Sequence, residues 1–204
     1  SERLKQEHSN RLSLNKNQVY VLPFFREEVR VQHNAHQTDK FIYVADGVPQ
    51  KNHTILLQAW EYLYDTYQVT PELHLTIPTR FTELNAAVEL LKLKGIKIIN
   101  HGVINKADLN LLYEQCGYLI FPSLRESFGL PLIEAVQAGC GVLAADLPYV
   151  YDVIRPSAVF NPTDAQSIAE LVAKITSSKV FIPANILIEN KVQEMITILY
   201  SRNN

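Results

Sequence analysis

Residues Pro122–Glu134, Pro-Ser-Leu-Arg-Glu-Ser-Phe-Gly-Leu-Pro-Leu-Ile-Glu, place two carboxylates, Glu126 and Glu134, on either side of Phe128-Gly129-Leu130-Pro131. An apolar stretch precedes this segment and a helix-like one follows it. A loop that feeds a helix start offers backbone N–H groups to an anion. Pro131 suits the first helical position, where its missing N–H costs nothing, and Gly129 lets the backbone approach a ligand closely. Taken alone, that tetrapeptide is an ordinary strand-to-helix turn. The two Glu residues change the balance. One carboxylate accepts two parallel hydrogen bonds, which suits vicinal hydroxyls such as those of a ribose. Glu134, within the first turn or so of its helix, is also favoured there by the dipole without any ligand. Glu126 follows Arg125, and is either a surface charge paired with it or an acceptor for sugar hydroxyls. A sugar, a diphosphate and a ribose in a row fit the arrangement.

Lys51 precedes a helix start that Asn52 is placed to cap. A cation there opposes the helix dipole; it is either a solvated loop lysine or a point-charge clamp on a diphosphate. The histidines carry less. His33 and His36 stand three apart, but no nearby Cys, Asp or Glu completes a convincing metal set. His53 is expected to top its helix, and His101 to end a strand. With no Asp-x-Asp cluster to hold a divalent cation on a diphosphate, metal independence is expected, and no cofactor is implied. No Ser-His-acid or Cys-His set is placed for nucleophilic hydrolysis.

The elements that must position these residues alternate. Strands are expected at Gln18–Leu22, Lys40–Ala45, Leu73–Ile77, Ile96–Asn100, Tyr118–Phe121, Gly141–Ala145 and Ala158–Phe160. Between them the helical pattern occupies Asn52–Tyr67, Thr82–Leu93, a stretch capped by Asn105, Pro131–Ala138 and a short piece near Tyr149–Ile154. A capping box at Thr163 and Gln166 opens a further helix, and a last one carries Val192, Ile196 and Leu199. Strands alternating with helices at this spacing mean βαβ units: an α/β, doubly wound parallel sheet of about six strands with helices on both faces. Ligands of such sheets bind outside the carboxyl ends of the strands. Every residue nominated above falls in a loop at that edge or in the helix start that follows it.

The polar residues 1–17 read as a tail or interdomain segment, and 18–204 as one domain of the 204 residues. The net charge of −2 argues against nucleic acid as a partner, which would need a basic surface. Cys116 and Cys140 both fall in apolar segments and read as reduced core thiols of a cytoplasmic protein. No apolar run reaches the length of a membrane span, which leaves peripheral association at the inner membrane face open.

The run Phe121-Pro-Ser-Leu-Arg-Glu-Ser-Phe-Gly-Leu-Pro-Leu-Ile-Glu-Ala135, continuing through Gly139 and Val142 to Asp146, resembles the signature of family-4 retaining glycosyltransferases of the GT-B fold. So do Lys40-Phe-Ile-Tyr-Val-Ala and Pro49-Gln-Lys-Asn-His53. The similarity extends from about Val19 to the helix at Asp164. It implies a Rossmann-like half of a two-domain enzyme, the donor-binding C-terminal half. Such an enzyme moves a hexosyl group from a nucleoside-diphosphate sugar to a glycan or lipid-linked acceptor, here with surface polysaccharide synthesis in view. By resemblance Glu126 contacts the donor sugar and Glu134 the ribose. Ser127, Phe128, Gly129 and Leu130 face sugar and phosphates. Lys51 binds the diphosphate and assists its departure, and the backbone at Val103 and Ile104 recognises the base. Retention by a front-face route, with the leaving phosphate deprotonating the acceptor, is implied too.

Two departures from that pattern stand out. Many members carry Gly-Arg five to six residues before the lysine, where this chain has Ala45-Asp46. Removing one charge-assisted hydrogen bond costs roughly 1.5–3 kcal/mol; Arg80 or Arg125 are candidates to compensate. The chain also begins about where the acceptor-binding N-terminal domain is expected to end. Three rivals follow: a glycoside hydrolase using the Glu pair as acid and base, another GT-B activity such as a nucleotide-sugar epimerase, and a non-catalytic nucleotide-binding or scaffold module with a degenerate site.

Overall fold

The computed structural model describes residues 38–201 together with 5–6, 9–11, 20–23 and 25. Most of residues 1–17 lie outside these, as do Gln18 and Val19 of the strand expected at Gln18–Leu22; Tyr20–Leu22 are described and form no strand. The first half contains β1 (Lys40–Tyr43), a 3-10 turn (Pro49–Lys51), α1 (His53–Tyr62), a π turn (Leu63–Tyr67), β2 (Glu72–Leu75), α2 (Thr82–Leu93) and β3 (Ile98–Asn100). The second contains α3 (Lys106–Gln115), β4 (Tyr118–Phe121), α4 (Leu130–Gln137), β5 (Gly141–Ala145), α5 (Pro148–Tyr151), β6 (Ile154–Arg155), β7 (Ala158–Phe160) and α6 (Ala165–Ser178). β8 (Asn185–Ile186) and α7 (Val192–Ser201) close the described chain.

Six strands form one parallel sheet in the order β3-β2-β1-β4-β5-β7, and β6 and β8 make a small antiparallel pair. This is the Rossmann-like order, with the strand order reversing between β1 and β4. The sequence explains why β1, β4 and β5 lie in the middle. Their runs are apolar on both faces, and Tyr118–Phe121 and Gly141–Ala145 are buried throughout, as strands covered by helices on either side must be. Phe41 pairs with Tyr118 and Ile42 with Leu119 across the reversal. Aromatic rings follow the same seam: Phe41 stacks on Tyr118 at 5.9 Å, Tyr43 meets Phe121 edge-on at 5.7 Å, and Phe121 meets Tyr149 at 6.4 Å. Offset and edge-on aromatic pairs each add about 0.5–1.5 kcal/mol beyond the area they bury. Cys116 and Cys140 are buried and free, and burial pushes the Cys116 thiol up to about 12.

Several local expectations are corrected. The helix expected to reach Tyr67 is α-helical only to Tyr62. It then widens into a π turn closed by Gln68 in the left-handed region at φ 52°. The wider turn lets Tyr62 and Tyr67, five apart, meet with ring centroids at 6.0 Å. Thr163 does not cap α6, because its hydroxyl donates to Asn161 in the preceding turn at 2.8 Å. Asp164 caps instead, accepting from the Gln166 N–H at 2.9 Å. α4 starts at Leu130, with Gly129 as its N-cap in the left-handed region at φ 79°. Pro131 is therefore its second residue, and Glu134 lies past the first turn. Asn105 caps α3 as expected, accepting from the Asp108 N–H at 2.9 Å.

Gly141 opens β5 where Tyr118 and the 180s loop converge. A Cβ there would overlap the Tyr118 ring and stand 2.8 Å from the Ile182 carbonyl oxygen. The Tyr118 ring has little room to retreat, since its hydroxyl accepts from the Ile182 N–H at 2.8 Å. Gly141→Ala is expected to lower stability by about 1–3 kcal/mol, read as a lower urea midpoint with unchanged slope.

Candidate functional site

Two loops at the carboxyl edge, one after β1 and one after β4, are tied together through their backbones. The Gln50 carbonyl accepts from the Leu124 N–H at 2.8 Å and from the Ser123 hydroxyl at 3.2 Å. Two buried tyrosines brace the arrangement from below. Tyr43 donates to the Lys51 carbonyl at 2.7 Å, and Tyr149 to the Ser123 carbonyl at 2.6 Å. Burial, and after it the Glu126 charge, pushes both phenols well above their ordinary value. They therefore stay protonated and keep donating.

Asn52 is the third tie. The sequence suggested a side-chain cap for α1, but the Asn52 side chain makes no such bond. Its Nδ2 instead donates to the Pro122 carbonyl at 3.2 Å and to the Pro162 carbonyl at 2.7 Å. The residue can reach both because its backbone is left-handed at φ 61°, a conformation Asn tolerates better than most side chains. His53 tops the helix as its first residue, as expected, but faces inward. It is buried at 2% exposure, its ring 4.8 Å from that of Tyr43 and both ring nitrogens without a hydrogen-bond partner. Burial above all, and the Lys51 charge against an opposing Asp46, lower its imidazole to about 4. His53 is thus a neutral packing residue.

These ties bring Lys51 and Glu126 into contact. Lys51 Nζ lies 2.6 Å from Glu126 Oε1, with the two side chains 22% and 10% exposed. A cation and a carboxylate so held can separate onto two neighbouring ligand groups, an anion and a hydroxyl. Of the other motif residues, Ser127 and Leu130 are exposed and Phe128 packs partly against the core. Gly129, the N-cap of α4, offers no side chain to its first turn.

Glu134 is placed by a different pair. Its Oε1 lies 2.8 Å from Lys106 Nζ, and its Oε2 is 3.4 Å from the hydroxyl of buried Tyr113. Lys106 is the first residue of α3, and sequence reasoning missed it. The signal was available: a lysine at a helix start opposes the dipole, the argument that had singled out Lys51. The loop leading to Lys106 contains Val103, 81% exposed, and half-buried Ile104. The expected base-recognition segment therefore runs directly into the partner of Glu134.

Asp46 turns toward the loop after β2. Its Oδ2 is 3.7 Å from Arg80 Nη2, while its Oδ1 is buried without a partner. The Arg80 guanidinium lies 4.8 Å from the Phe81 ring centroid. A cleft of about 250 Å³ opens there, lined by Gly47, Arg80, Phe81, Thr82, Glu83 and Leu84. It lies on the Asp46 side of the edge and not over the Phe128–Leu130 loop. Arg80, one of the two cations considered as compensating for Asp46, is thus the one that reaches it. Among the described residues no group of three or more His, Cys, Asp or Glu could hold a metal ion, and no helix is long and apolar enough to cross a membrane.

The family model of glycosyl transferases group 1 matches residues 25–194. The serotype-specific mannosyltransferase WbdA of Escherichia coli is 31% identical over 148 residues, 70% of this chain and 18% of that protein. A mutant of S. aureus TarM, in complex with fondaparinux, alpha-GlcNAc-glycerol and UDP, superposes with a TM-score of 0.71 at 19% identity, over 99% of this chain and 42% of that one. The C-terminal domain of a glycosyl transferase group 1 family protein (LpcC) from Francisella tularensis superposes with a TM-score of 0.61 at 18% identity, over 84% of this chain and 95% of that domain.

The role given to Asn52 can be measured. Asn52→Gly keeps the left-handed backbone and deletes both bridging bonds, at an expected cost of about 1–3 kcal/mol. Asn52→Ala should cost about 1–2 kcal/mol more, because it adds left-handed strain. Urea denaturation of the two variants separates the contributions. Equal midpoints would mean that φ at this position is not held by the fold.

Proposed function

Because the chain belongs to the glycosyl transferases group 1 family, we propose that it is the donor-binding half of an enzyme that transfers a hexosyl group from a nucleoside-diphosphate sugar. The observation that carries this reading is the 2.6 Å contact between Lys51 and Glu126 across two loops of the sheet edge. An incoming diphosphate, with more negative charge than one carboxylate, takes the Lys51 ammonium. Glu126 is released at the same moment to accept hydroxyls of the donor sugar. Lys51 then offsets charge that develops on the leaving phosphate, a contribution that grows toward the transition state. Glu134, oriented by Lys106 and Tyr113, accepts the two ribose hydroxyls. The backbone at Phe128, Gly129 and Leu130 faces the sugar and phosphates, and Val103 and Ile104 face the base.

In this reading the sugar is transferred with retention, the leaving phosphate removing the acceptor's proton, and no protein-bound metal takes part. The relative WbdA is a serotype-specific mannosyltransferase, which supports a hexosyl donor; the acceptor in this reading is a glycan or lipid-linked chain of surface polysaccharide synthesis. The chain spans 18% of that relative's length. Acceptor binding belongs to a second half, as the fit to 95% of an excised C-terminal domain also suggests. On its own the donor half binds nucleotide and transfers little sugar, since the acceptor is not held against it. The reaction is placed in the cytoplasm, with peripheral attachment to the inner membrane face through the acceptor.

Asp46 favours a second reading, a nucleotide-binding or scaffold module without catalysis, because it adds a negative charge beside the phosphate site. Calorimetric titration with GDP, UDP and ADP separates the two. The donor-binding reading expects at least one nucleotide to bind, and Lys51→Ala to weaken it by about 10- to 100-fold, equivalent to roughly 1.5–3 kcal/mol for a charge-assisted hydrogen bond. No binding of any of the three by the folded wild-type chain supports the scaffold.

A further inference from the structure

Glu72, His74 and His101 form a hydrogen-bonded line that the site above does not use. Glu72 and His74 stand two apart on β2 and share a face of the strand, and His101 directly follows β3. His74 Nε2 is 2.7 Å from Glu72 Oε1, and His74 Nδ1 is 2.9 Å from His101 Nε2. The two rings are nearly parallel, 10° apart with centroids at 5.2 Å. At that separation a contact between ring nitrogens runs close to the ring planes, where N–H bonds and lone pairs lie. Lys40 on β1 secures the far end, 3.6 Å from Glu72.

With both rings neutral, the line allows one arrangement of protons. Burial of Glu72 acts to raise its carboxyl, but the hydrogen bond from His74 and the charge of Lys40 work against it, and the carboxyl lies below the usual range. Glu72 is therefore ionised at neutral pH and only accepts, so His74 Nε2 carries a proton. Two neutral rings can then share their contact in one way: His74 Nδ1 accepts and His101 Nε2 donates. His101 Nδ1 is left a bare acceptor, and among the described residues nothing bonds it. Burial first, then the His74 ring, lower the His101 imidazole against the opposing pull of Glu72.

The two residues that follow His101 leave the loop open. His101 is exposed at the carboxyl edge. A Cβ added to Gly102 would meet nothing within 4 Å, and Val103 beyond it is a large apolar side chain 81% exposed. An acceptor, an open step of backbone and an uncovered apolar surface follow one another in three residues. They lie on the loop that leads to Lys106 and Glu134.

We propose that His101 reads the nucleobase of the donor: its Nδ1 accepts the ring imino N–H that uracil and guanine carry and adenine and cytosine lack, with Val103 against the ring face. This rests on the donor-binding reading above and adds a specificity-determining residue to it. His74 and Glu72 are positioning residues that keep the proton off Nδ1. Adding one proton anywhere in the histidine pair places an N–H on His101 Nδ1. Base preference is therefore lost as pH falls through the titration of His101, which burial holds below the ordinary imidazole range.

The test is calorimetric titration of the wild-type chain, His101→Ala and His101→Asn with GDP, UDP, ADP, CDP and inorganic pyrophosphate. Expected are tighter binding of GDP or UDP than of ADP and CDP, and about tenfold weaker binding of the preferred nucleotide by His101→Ala, the worth of one hydrogen bond. Pyrophosphate affinity should not change, and His101→Asn, which keeps an acceptor near the Nδ1 position, should recover part of the affinity. Ring ¹⁵N shifts of the wild-type chain at neutral pH should show His101 protonated on Nε2 and bare on Nδ1. A preferred nucleotide bound equally by His101→Ala, a preference for ADP or CDP, or a proton on Nδ1 overturns the inference while leaving the donor-binding reading intact. No nucleotide binding by the wild-type chain overturns both.

Discussion

β1 and β4 lie side by side although three helices and two strands separate them in the chain. At this junction the strand order changes direction, so the connections from the two strands leave on opposite sides and a crevice opens between them. The loop from β1 brings Lys51 to the crevice and the loop from β4 brings Glu126. The register of Phe41 with Tyr118 and Ile42 with Leu119 determines how far each loop extends. Aromatic contacts along the same seam then carry the packing of the core up to the hydroxyls of Tyr43 and Tyr149, which hold the loops from beneath. Core and site are therefore one structure, with the second resting on the first.

The charges at this edge are arranged in pairs that cross between neighbouring loops or helices: Lys51 with Glu126, Lys106 with Glu134, Arg80 with Asp46. Exposed pairs of this kind contribute about 0–1 kcal/mol to stability, so holding the fold together is not their main physical effect. They keep cations and carboxylates oriented in advance, with little left to reorganise when a ligand takes over one partner. The Lys51–Glu126 pair is the most buried of the three and the one most backed by backbone hydrogen bonds. The Arg80–Asp46 pair is the longest and most exposed, which fits its position away from the motif loop.

The sequence was legible where periodicity and caps were strong. Tyr118–Phe121 and Gly141–Ala145 are continuous apolar runs and form the strands they announce, and Asn105 caps α3. Local readings failed where a neighbour far along the chain competed for a polar group. Asn52 looks like a cap until the carbonyls of Pro122 and Pro162 are brought to its amide. Thr163 looks like half of a capping box until Asn161 takes its hydroxyl. Tyr67 looks like an ordinary helical position until its ring is seen to lie against Tyr62.

What the sequence determined by itself is the inventory. It holds two carboxylates around a Gly-Pro helix start, a lysine before another helix, and apolar runs that can only be the middle of a parallel sheet. Those follow from residue type and from periods of a few positions, which act over short range. The tertiary structure alone decided who faces whom. Lys51 meets Glu126, Lys106 meets Glu134 and His74 meets His101 because parallel strands must pair through long crossovers. No local pattern records the partner that a crossover will bring.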